Sequence, residues 1–345
     1  MTPPERVHNL PALAGDLVIE RLLAKEIRAK SETVDVLHAH HRQSTLALSH
    51  IDTSSPTVTT IRDFWPTCPI STYNINGESC TGCGDRLDDC VTHNELTKFS
   101  EIGTKAYLLA KRRHQQPVIS SVDCAVFIAK HIRERISGSI DFPEETEVIH
   151  NPVSIEGDLE PISESSPTFV TASSLTRSKG VETAIRAVGQ ITDSYPSCRL
   201  IIFGDGPERD RLETIAEESA PDAIEFRGRV PSNEVYRTIA GATATIFPSI
   251  WEEPFGRITV ESMMIGSPVI GSDVGGIAEI IHDGETGLLF PPNRPALLAD
   301  KLRMVIKDDE LMKQLTRKGK NQSMRYQPER ITEKYLDLYH RLQNT

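Results

Sequence analysis

The chain has 345 residues, of which 38% are hydrophobic, 25% charged and 6% aromatic. This length favours two domains, and the composition is that of a globular protein rather than a disordered or membrane-spanning one. Asp and Glu (49) outnumber Lys and Arg (38), and this excess argues against a nucleic-acid binder. We expect a cytoplasmic protein, because the first residues lack the apolar segment of a secretory signal and no apolar run reaches about 18 residues.

The first part of the chain alternates only irregularly between apolar and polar residues. Four segments predict a strand, or a strand followed by a helix: 35–40, 56–65, 117–136 and 147–157. Within the first segment and directly after it, His38, His40 and His41 are expected to make packing or strand-end contacts rather than bind metal. The segment 160–167 is rich in Ser, Pro and Glu and predicts a loop, so we expect the domain boundary within 152–167.

Four of the six cysteines cluster with the spacing C-x11-C-x2-C-x6-C. The four are Cys68, Cys80, Cys83 and Cys90. Four thiolates can close a tetrahedral Zn²⁺ site, and C-x2-C is a usual half-site, although the last spacing is wider than in common zinc ribbons. Reduced thiols without a metal are the alternative, and a disulfide is less favoured in a reducing compartment. Cys124 and Cys198 lie in apolar runs and are expected in the core.

Residues 105–116 concentrate positive charge beside apolar residues. The basic residues are Lys105, Lys111, Arg112 and Arg113, and Tyr107, Leu108 and Leu109 lie among them. A basic amphipathic helix can lie on an anionic membrane, which would suit a lipid-linked substrate. The alternative is a solvated basic face on a helix that packs against a core.

Strands and helices alternate clearly in residues 168–293. The predicted strands are 168–174, 199–204, 224–230, 244–249, 267–273 and 286–292. Helical patterns lie between and after them, and in the first of these Val181, Ala184, Ile185 and Val188 share one face. This alternation predicts a doubly wound α/β domain whose parallel sheet is covered on both faces. The last stretch, 328–342, predicts an amphipathic helix with an apolar face formed by Ile331, Tyr335, Leu336 and Leu338.

The segment 248–276 contains the strongest candidate site. Glu253 follows a predicted strand, Glu261 lies inside the next predicted helix, and Gly256 lies near the start of that helix. Ligands bind beyond the carboxyl ends of parallel strands, and a helix N-terminus there offers free N–H groups to a phosphate. Two carboxylates beside it could accept hydrogen bonds from sugar hydroxyls. Two solvated glutamates beside an ordinary turn are the alternative.

Two further loops follow predicted strands. In the loop 173–180, Arg177 and Lys179 could face the leaving phosphate of a nucleotide, although a basic loop after a strand is usually just solvated. The loop 204–212 is glycine-rich but is neither a dinucleotide fingerprint nor a P-loop. Its Gly204 and Gly206 are therefore expected either to contact a ligand or to form a tight turn.

Seven motifs occur in order between residues 179 and 290. They are KG (179–180), GDGP (204–207), FRGRVP (226–231), FPS (247–249), EEPFGRITVE (252–261), GSPVIGSDVGG (266–276) and DGETGLLF (283–290). In order and spacing they resemble those of the family 4 (GT4) retaining glycosyltransferases of the GT-B superfamily. The resemblance covers residues 117–345 well and 34–66 less well.

The resemblance implies an α/β GT-B fold with two Rossmann-like, doubly wound domains that face a cleft. Residues 1–153 would form the acceptor-side domain, and residues 154–327 the nucleotide-sugar-binding domain. Residues 328–345 would form a terminal helix that docks back on the amino-terminal domain. Relatives generally have many more residues before position 35, so the resemblance also implies an amino-terminal domain that is shortened at its start and lacks an opening strand.

The resemblance also assigns roles to residues. Glu261 would accept hydrogen bonds from the ribose hydroxyls, Glu253 would contact the hydroxyls of the donor sugar, and Lys179 would neutralise the departing phosphate. The donor-binding set is completed by Phe255, Gly256 and Arg257 through their backbone N–H groups at the diphosphate, by Arg229 and Val230 at the base, and by Ser174, Arg177, Gly204 and Gly206.

Two positions depart from the family pattern. Ser174 stands where the family usually has an arginine. Either Arg177 would supply the missing positive charge, or Lys179 would act as the single cation. On the acceptor side, Arg62 stands where relatives often have a histidine, beside Asp63. Arg62 could instead meet the diphosphate or an anionic acceptor.

The implied activity is that of a metal-independent hexosyltransferase in the biosynthesis of a cell-surface polysaccharide. It would transfer a hexose, with retention, from a nucleotide diphosphate sugar to a hydroxyl of a glycan or lipid-linked acceptor, at the inner face of the membrane. No cofactor is expected in catalysis, and the sequence contains no Asp-x-Asp pair that would hold a catalytic metal. The alternatives are a catalytically silent nucleotide-sugar binder or complex subunit, and a GT-B epimerase.

Overall fold

The computed structural model describes residues 12–75, 77–84, 86–93, 101–157, 159–162 and 166–344. The amino-terminal unit comprises Met1–Ile75, Ser79–His150 and Thr332–Thr345, and the carboxy-terminal unit comprises Asn76–Glu78 and Asn151–Ile331. The division at Asn151 lies close to the expected boundary. Residues 1–11, which were expected not to be a secretory signal, and part of the predicted linker 160–167 lie outside the described residues.

The amino-terminal unit contains a parallel sheet with the strand order β1-β2-β5-β6. Its strands are β1 (Leu37–Ala39), β2 (Thr57–Ile61), β5 (Cys124–Phe127) and β6 (Glu145–Val148), and β3 (Asn74–Ile75) pairs with β4 (Glu78–Ser79). Its helices are α1 (Ala12–Ser31), α2 (Arg42–Leu48), α3 (Leu87–His93), α4 (Glu101–Gln115) and α5 (Lys130–Ser137). The first three predicted regions each contain a strand of this sheet, whereas β6 ends at Val148 and overlaps the fourth region, 147–157, only at its start.

Two strands of this unit are shorter than the pattern predicted. The segment 117–136 opens with a 3-10 helix, Gln116–Ser121, because Pro117 lacks the N–H that a central strand needs. The second predicted strand ends at Ile61 rather than continuing to Trp65. There Asp63 turns the chain, since its Oδ1 accepts a hydrogen bond from the Trp65 N–H at 2.8 Å.

The last helix, α13 (Pro328–Gln343), contributes Thr332 onward to the amino-terminal unit. Tyr339 Oη lies 2.6 Å from His38 Nδ1, and Arg341 donates hydrogen bonds to Glu145 and Glu147 on β6. The apolar face differs from the expectation at one position, because Leu336 is 48% exposed whereas Leu338 is fully buried.

The carboxy-terminal unit contains a six-stranded parallel sheet with the strand order β12-β11-β10-β7-β8-β9. The strands are β7 (Thr168–Ala172), β8 (Arg199–Phe203), β9 (Ile224–Gly228), β10 (Ala244–Phe247), β11 (Val269–Ser272) and β12 (Leu288–Phe290). The helices are α6 (Val181–Gly189), α7 (Arg209–Ser219), α8 (Ser232–Gly241), α9 (Arg257–Ile265), α10 (Gly275–Ile280), α11 (Pro295–Lys307) and α12 (Asp309–Ser323). All six predicted strands are confirmed.

This strand order is that of a Rossmann fold, in which successive strands first extend the sheet in one direction and then in the other. The direction changes between β7 and β10, which are neighbours in the sheet although two strands separate them in sequence. The predicted apolar face of α6 is confirmed, since Val181, Ala184, Ile185 and Val188 are all buried in the core of this unit. The sheet therefore places the carboxyl ends of β7 and β10 side by side.

Candidate functional site

A cavity of about 350 Å³ lies at the carboxyl ends of β7 and β10, at the topological switch point of the carboxy-terminal unit. In open α/β sheets this is where ligands bind, because loops from adjacent strands diverge there and leave a crevice. The volume lies in the range of cavities that hold small molecules. The lining residues include Thr171, Ala172, Ser173, Ser174, Lys179, Phe247, Pro248, Ser249, Glu253, Gly256, Arg257, Ile258, Thr259, Glu261 and Ile277.

Glycines allow the loops around this cavity to pack backbone against backbone. A Cβ on Gly180 would lie 2.0 Å from the carbonyl oxygen of Pro248, and one on Gly204 would lie 1.8 Å from that of Ser173. Both residues also have positive φ, which favours glycine. The loops after β7, β8 and β10 are thereby held together at one edge of the sheet.

A second pair of glycines positions the loop that carries Glu253. A Cβ on Gly275 would lie 2.6 Å from the Glu253 carbonyl oxygen, and one on Gly276 would lie 2.6 Å from Phe255 Cα. The Gly276 N–H donates to that same carbonyl oxygen at 2.7 Å. The start of α10 therefore supports the backbone on which the Glu253 side chain is mounted.

Lys179 and Glu253 form a hydrogen-bonded ion pair inside the cavity. Lys179 Nζ donates to Glu253 Oε1, which also accepts the Ser249 hydroxyl at 2.7 Å. The Lys179 ammonium lies 5.4 Å from the centre of the Trp251 ring, within range of a cation–π contact. Both donors use Oε1, so that Oε2 of Glu253 accepts no hydrogen bond from the described residues and can receive one from a ligand.

The amino end of α9 lies beside this pair. Gly256 precedes the helix with φ of 76°, in the left-handed region, and Gly256, Arg257, Ile258 and Thr259 all line the cavity. The first N–H groups of a helix have no partner within the helix and carry a partial positive charge. This end of α9 is therefore suited to bind an anionic group.

Glu261 is one turn further along α9 and is only 5% exposed. Its Oε1 accepts a hydrogen bond from Arg257 Nε at 2.7 Å. Burial and the Glu261 carboxylate together raise the pKa of Tyr236 to about 12. The carboxylate is thus held in one orientation at the cavity wall, where it can accept hydrogen bonds from ligand hydroxyls.

Two hydroxyl groups at the cavity were not recognised in the sequence. Ser173 Oγ and Thr259 Oγ1 are buried and have no hydrogen-bond partner within the described part of the chain, and both residues line the cavity. Such orphan groups are uncommon in folded proteins and cost free energy. Their types are too common in loops and helices to stand out, so only their burial distinguishes them.

The remaining donor-side residues of the sequence analysis lie outside this lining. Gly204 and Gly206 pack on the backbone of Ser173 and Leu175, and Phe255 is buried with its ring 5.6 Å from that of Tyr326. Arg177 lines a separate cavity of about 400 Å³. Beyond the end of β9, Arg229 is exposed and Val230 packs partly against a core that contains Ile239.

In the amino-terminal unit, the two residues that the family resemblance assigns to the acceptor follow β2. Arg62 is exposed, whereas Asp63 is half-buried and its pKa is raised by burial. His38 makes a strand-end contact, as expected: its Nε2 lies 2.7 Å from Thr60 Oγ1, and its ring stacks 4.0 Å from that of His40. Burial, and secondarily the neighbouring His40, lower the pKa of His38 to about 3.

The six cysteines, all in the described part of the chain, are free of disulfide bonds. Cys124 and Cys198 are buried as expected, and burial raises the pKa of each thiol to about 12. The clustered four line one cavity of about 10 Å³ in the amino-terminal unit. Among the residues that the structure describes, no three His, Cys, Asp or Glu side chains are already arranged as a metal site.

The basic residues of α4 are largely engaged within their own unit. Lys111 donates to the Pro69 carbonyl at 2.7 Å and its pKa is lowered by burial, while Lys105 pairs with Asp88 and Glu101. Arg112 is half-buried, which leaves Arg113 as the exposed member of this basic group. Among the described helices, none is both long and apolar enough to cross a bilayer.

Comparison with known proteins matches residues 158–322 to the family model described as glycosyl transferases group 1. The chain is 34% identical over 174 residues to an exopolysaccharide phosphotransferase of Streptomyces coelicolor, a segment that is 50% of this chain and 18% of that protein. It is 32% identical over 138 residues to an alpha-D-kanosaminyltransferase of Streptomyces kanamyceticus, covering 40% of this chain and 36% of the relative. The chain thus spans less than two fifths of either relative.

Solved structures resemble the whole described chain. HepE from Anabaena in complex with UDP has a TM-score of 0.71 at 20% identity, covering 96% of this chain and 84% of HepE. Sucrose-phosphate synthase from Thermosynechococcus elongatus has a TM-score of 0.69 at 19% identity, covering 96% of this chain and 80% of the synthase. At these identities the likeness establishes the fold.

The carboxy-terminal unit is Rossmann-like, with a cavity at its switch point beside a helix amino end, which is an arrangement suited to phosphorylated ligands. The structural neighbours define its class further as the GT-B fold, with two Rossmann-like units. Within that class, residues 158–322 match the glycosyl transferases group 1 family model. This agrees with the family that the seven motifs indicated.

Proposed function

We propose that the chain is a GT4-type retaining glycosyltransferase that moves a hexose from a nucleotide diphosphate sugar to a hydroxyl of a glycan or glycolipid. The observation that carries this proposal is the Lys179–Glu253 pair beside the amino end of α9, in the cavity at the switch point. A cation and a helix amino end suit a diphosphate, and a carboxylate with a free oxygen suits a sugar hydroxyl.

The donor occupies the cavity with its diphosphate at the amino end of α9. The backbone N–H groups of Phe255, Gly256 and Arg257 face the phosphate oxygens, and Glu261 accepts hydrogen bonds from the ribose hydroxyls. Support comes from the burial of Glu261 and from its bond to Arg257, because a buried and oriented carboxylate discriminates strongly for hydroxyl donors.

Lys179 exchanges partners when the donor binds. In the free protein its ammonium is bonded to Glu253 Oε1, whereas a bound diphosphate offers more negative charge at the same place. Glu253 then accepts hydrogen bonds from the donor sugar, while the Ser249 hydroxyl continues to orient it. One ion pair thus becomes two contacts with the donor.

The chemistry needs no nucleophile from the protein. The acceptor oxygen bonds to the anomeric carbon on the face from which the diphosphate leaves, as the bond from that carbon to the phosphate oxygen breaks. The acceptor proton passes to an oxygen of the leaving diphosphate, and Lys179 stabilises the charge that develops there. The protein contributes positioning and charge stabilisation, without a catalytic metal.

The acceptor side belongs to the amino-terminal unit. Arg62 is exposed at the end of β2, beside Asp63, and is assigned to the acceptor or to its anionic group. A lipid-linked or surface glycan acceptor, met at the inner face of the membrane, is the substrate class proposed. The cited HepE structure contains UDP, so UDP-sugars are the first donors to test.

The decisive experiment offers the purified chain a panel of UDP-, GDP- and ADP-hexoses, with and without simple glycoside acceptors, and with and without added Mg²⁺ or Mn²⁺. We expect release of nucleotide diphosphate from one donor, faster with an acceptor and independent of the added divalent ion. NMR of the product should show the anomeric configuration of the donor. Inversion, or complete dependence on a divalent ion, would contradict the proposed mechanism.

A silent nucleotide-sugar binder is the second candidate, and one observation favours it. Ser174 lines the cavity where the family resemblance implies an arginine, so the phosphate side of the cavity has Lys179 but lacks that second cation. Calorimetry on the same donors separates the two candidates. Binding of one donor with neither hydrolysis of that donor nor transfer to any acceptor would favour the binder.

A further inference from the structure

The segment after β2 contains four cysteines that the proposed transferase chemistry does not use. Cys68, Cys80, Cys83 and Cys90 line a single cavity of about 10 Å³ in the amino-terminal unit. About one water-sized sphere fits in this volume. Three of the four side chains are buried and Cys83 is half-buried, so the cysteines surround an enclosed space for one small occupant.

Backbone hydrogen bonds fix the local positions of two of these cysteines, which come from separate parts of the segment. The Cys68 N–H donates to the Phe64 carbonyl at 2.8 Å, directly beyond β2, and the Cys80 N–H donates to the Tyr73 carbonyl at 2.7 Å. Cys90 lies on α3. The cavity is therefore built on a strand end, a short hairpin and a helix, which is how a small metal site draws its ligands from separate elements.

The C-x2-C half of the cluster has the local geometry of a metal knuckle. The Gly82 N–H donates to Cys80 Sγ at 3.4 Å, and Gly82 has φ of 138°, which a side chain would disfavour. The Cys80 thiol in turn donates to the Gly82 carbonyl at 3.5 Å. The glycine that the sequence places between Cys80 and Cys83 thus allows a tight turn that closes on the Cys80 sulfur.

The charges around the cavity suit four thiolates around a divalent cation, a group with a net charge of about −2. Arg86 lines the cavity, and Arg135 donates to the Cys80 carbonyl at 2.6 Å with its guanidinium 4.6 Å from the Tyr73 ring. Among the described residues no acidic side chain lines it. Arg86 is already paired with Asp89, so Arg135 is the cation available to offset part of the charge of the cluster, and the absence of acidic lining groups among the described residues favours a sulfur-only ligand set.

We propose that Cys68, Cys80, Cys83 and Cys90 bind one structural Zn²⁺ ion. In their packed rotamers these sulfurs are not yet a closed ligand set, but a change of χ1 rotamer moves a cysteine sulfur by about 3 Å. A tetrahedral site needs sulfurs about 2.3 Å from the metal. Among its described residues, the segment between β2 and α4 forms the short elements β3, β4 and α3, so the metal would fix its fold by joining parts that backbone hydrogen bonds hold only locally.

The first test measures metal in the full-length protein, purified under reducing conditions after growth with added zinc. We expect about one zinc per chain by elemental analysis. The assignment would be overturned if the protein, after reconstitution with zinc alone, held less than a tenth of an equivalent of zinc. It would also be overturned if the purified protein contained iron instead of zinc. A mass lower by two or four hydrogens, as disulfides give, would overturn it as well.

The second test uses the unmutated protein, so that it does not depend on whether a variant folds. Thiols are alkylated before and after zinc is removed by a chelator, and the modified positions are identified by mass spectrometry. Protection of all four clustered cysteines with zinc, and their reaction after its removal, is the expected result. Equal reactivity of these cysteines in both states would contradict the proposal.

Variants then distinguish ligands from other thiols. Cys83→Ala alters the most accessible member of the cluster, and Cys124→Ala removes a buried thiol of β5 from the same unit as a matched control. We expect Cys83→Ala to lower zinc content at least fivefold and Cys124→Ala to leave it unchanged. Equal zinc content in both variants would exclude Cys83 as a ligand. Because the measurement is metal content, a chain that lacks transferase activity would not affect the outcome.

Discussion

Lys179 and Glu253 are hydrogen-bonded to each other although they lie 74 positions apart in the chain. The first follows β7 and the second follows β10, strands that are adjacent only because the sheet changes direction between them. Each side chain compensates the charge of the other until a ligand replaces that contact. The pair therefore links the topology of the sheet to the proposed chemistry.

Replacement of Lys179 by alanine should lower turnover of the donor about 100-fold or more, because the charge that develops on the leaving diphosphate loses its cation. Lys301→Ala is the matched control, since its side chain is 23% exposed against 25% for Lys179 and it also pairs with a carboxylate, Asp283. Steady-state kinetics on both variants test this prediction. Similar rates in the two variants would assign Lys179 a structural role alone.

Glu261→Gln should weaken donor binding at least about tenfold, because a hydrogen bond to a charged acceptor contributes about 1.5–3 kcal/mol. The effect should appear in the Kd of the nucleotide diphosphate itself, since the carboxylate is assigned to ribose. Glu225→Gln is the control, because Glu225 also pairs with an arginine but lies on β9 outside the cavity. If calorimetry showed that both variants bind the nucleotide diphosphate as tightly as the unmutated chain, the assignment of Glu261 to the ribose would be refuted.

Gly180→Ala should destabilise the carboxy-terminal unit by about 2 kcal/mol more than Gly284→Ala. The two glycines have similar φ, 63° and 74°, but a Cβ on Gly180 would meet the Pro248 carbonyl oxygen at 2.0 Å whereas Gly284 has open space. The difference in free energy of unfolding between the two variants therefore reports on the packing of the loops. Urea denaturation measures this difference, and equal midpoints would show that the loops can move apart at little cost in free energy.

Thr259→Val should affect stability and binding in opposite directions. The Thr259 hydroxyl is buried without a partner, so its removal should leave the free protein as stable as before or slightly more stable, while it weakens binding of a ligand that uses the hydroxyl. Thr238→Val is the control, because that buried hydroxyl donates to the Glu234 carbonyl at 2.9 Å. It should lose about 1 kcal/mol of stability without a change in binding. If the Thr259→Val variant bound the donor as tightly as the unmutated chain, the Thr259 hydroxyl would not be a ligand contact.

The stability of the amino-terminal unit should fall as the pH is lowered below about 6.5. The pKa of His38 is about 3 in the folded chain, against 6.5 for an ordinary histidine, because the ring is buried beside His40. Between these values the unfolded chain takes up a proton that folded His38 does not, so acid favours unfolding by up to about 1.4 kcal/mol per pH unit.

Two histidine variants test this pH dependence. His38→Gln should flatten the slope of the denaturation midpoint between pH 5 and 6.5, whereas His340→Gln, at an exposed position of α13, should preserve it. The comparison uses the slope rather than the absolute midpoint, because the loss of the contacts with Tyr339 and Thr60 lowers stability at every pH. An unchanged slope in His38→Gln would show that another group controls the acid transition.

Several features of the fold could be predicted because they depend on local pattern. The six strands of the carboxy-terminal unit follow from short apolar runs, and the buried face of α6 follows from its spacing. The strand ends were less predictable. Pro117 and Asp63 shortened two strands through a missing donor and a side-chain turn, whose effects depend on which neighbouring backbone groups are present.

The sequence by itself determined which chemical groups are available: Lys179, Glu253, Glu261 and the glycines that allow close loops, all recognisable from residue type and order. Only the tertiary structure decided which of them meet. It brought Lys179 and Ser249 to one oxygen of Glu253, placed Arg177 at a different cavity, and left the Ser173 and Thr259 hydroxyls buried without partners. The physical reason is that these contacts depend on the order of strands in the sheet and on solvent exclusion, which are properties of the whole unit rather than of any local segment.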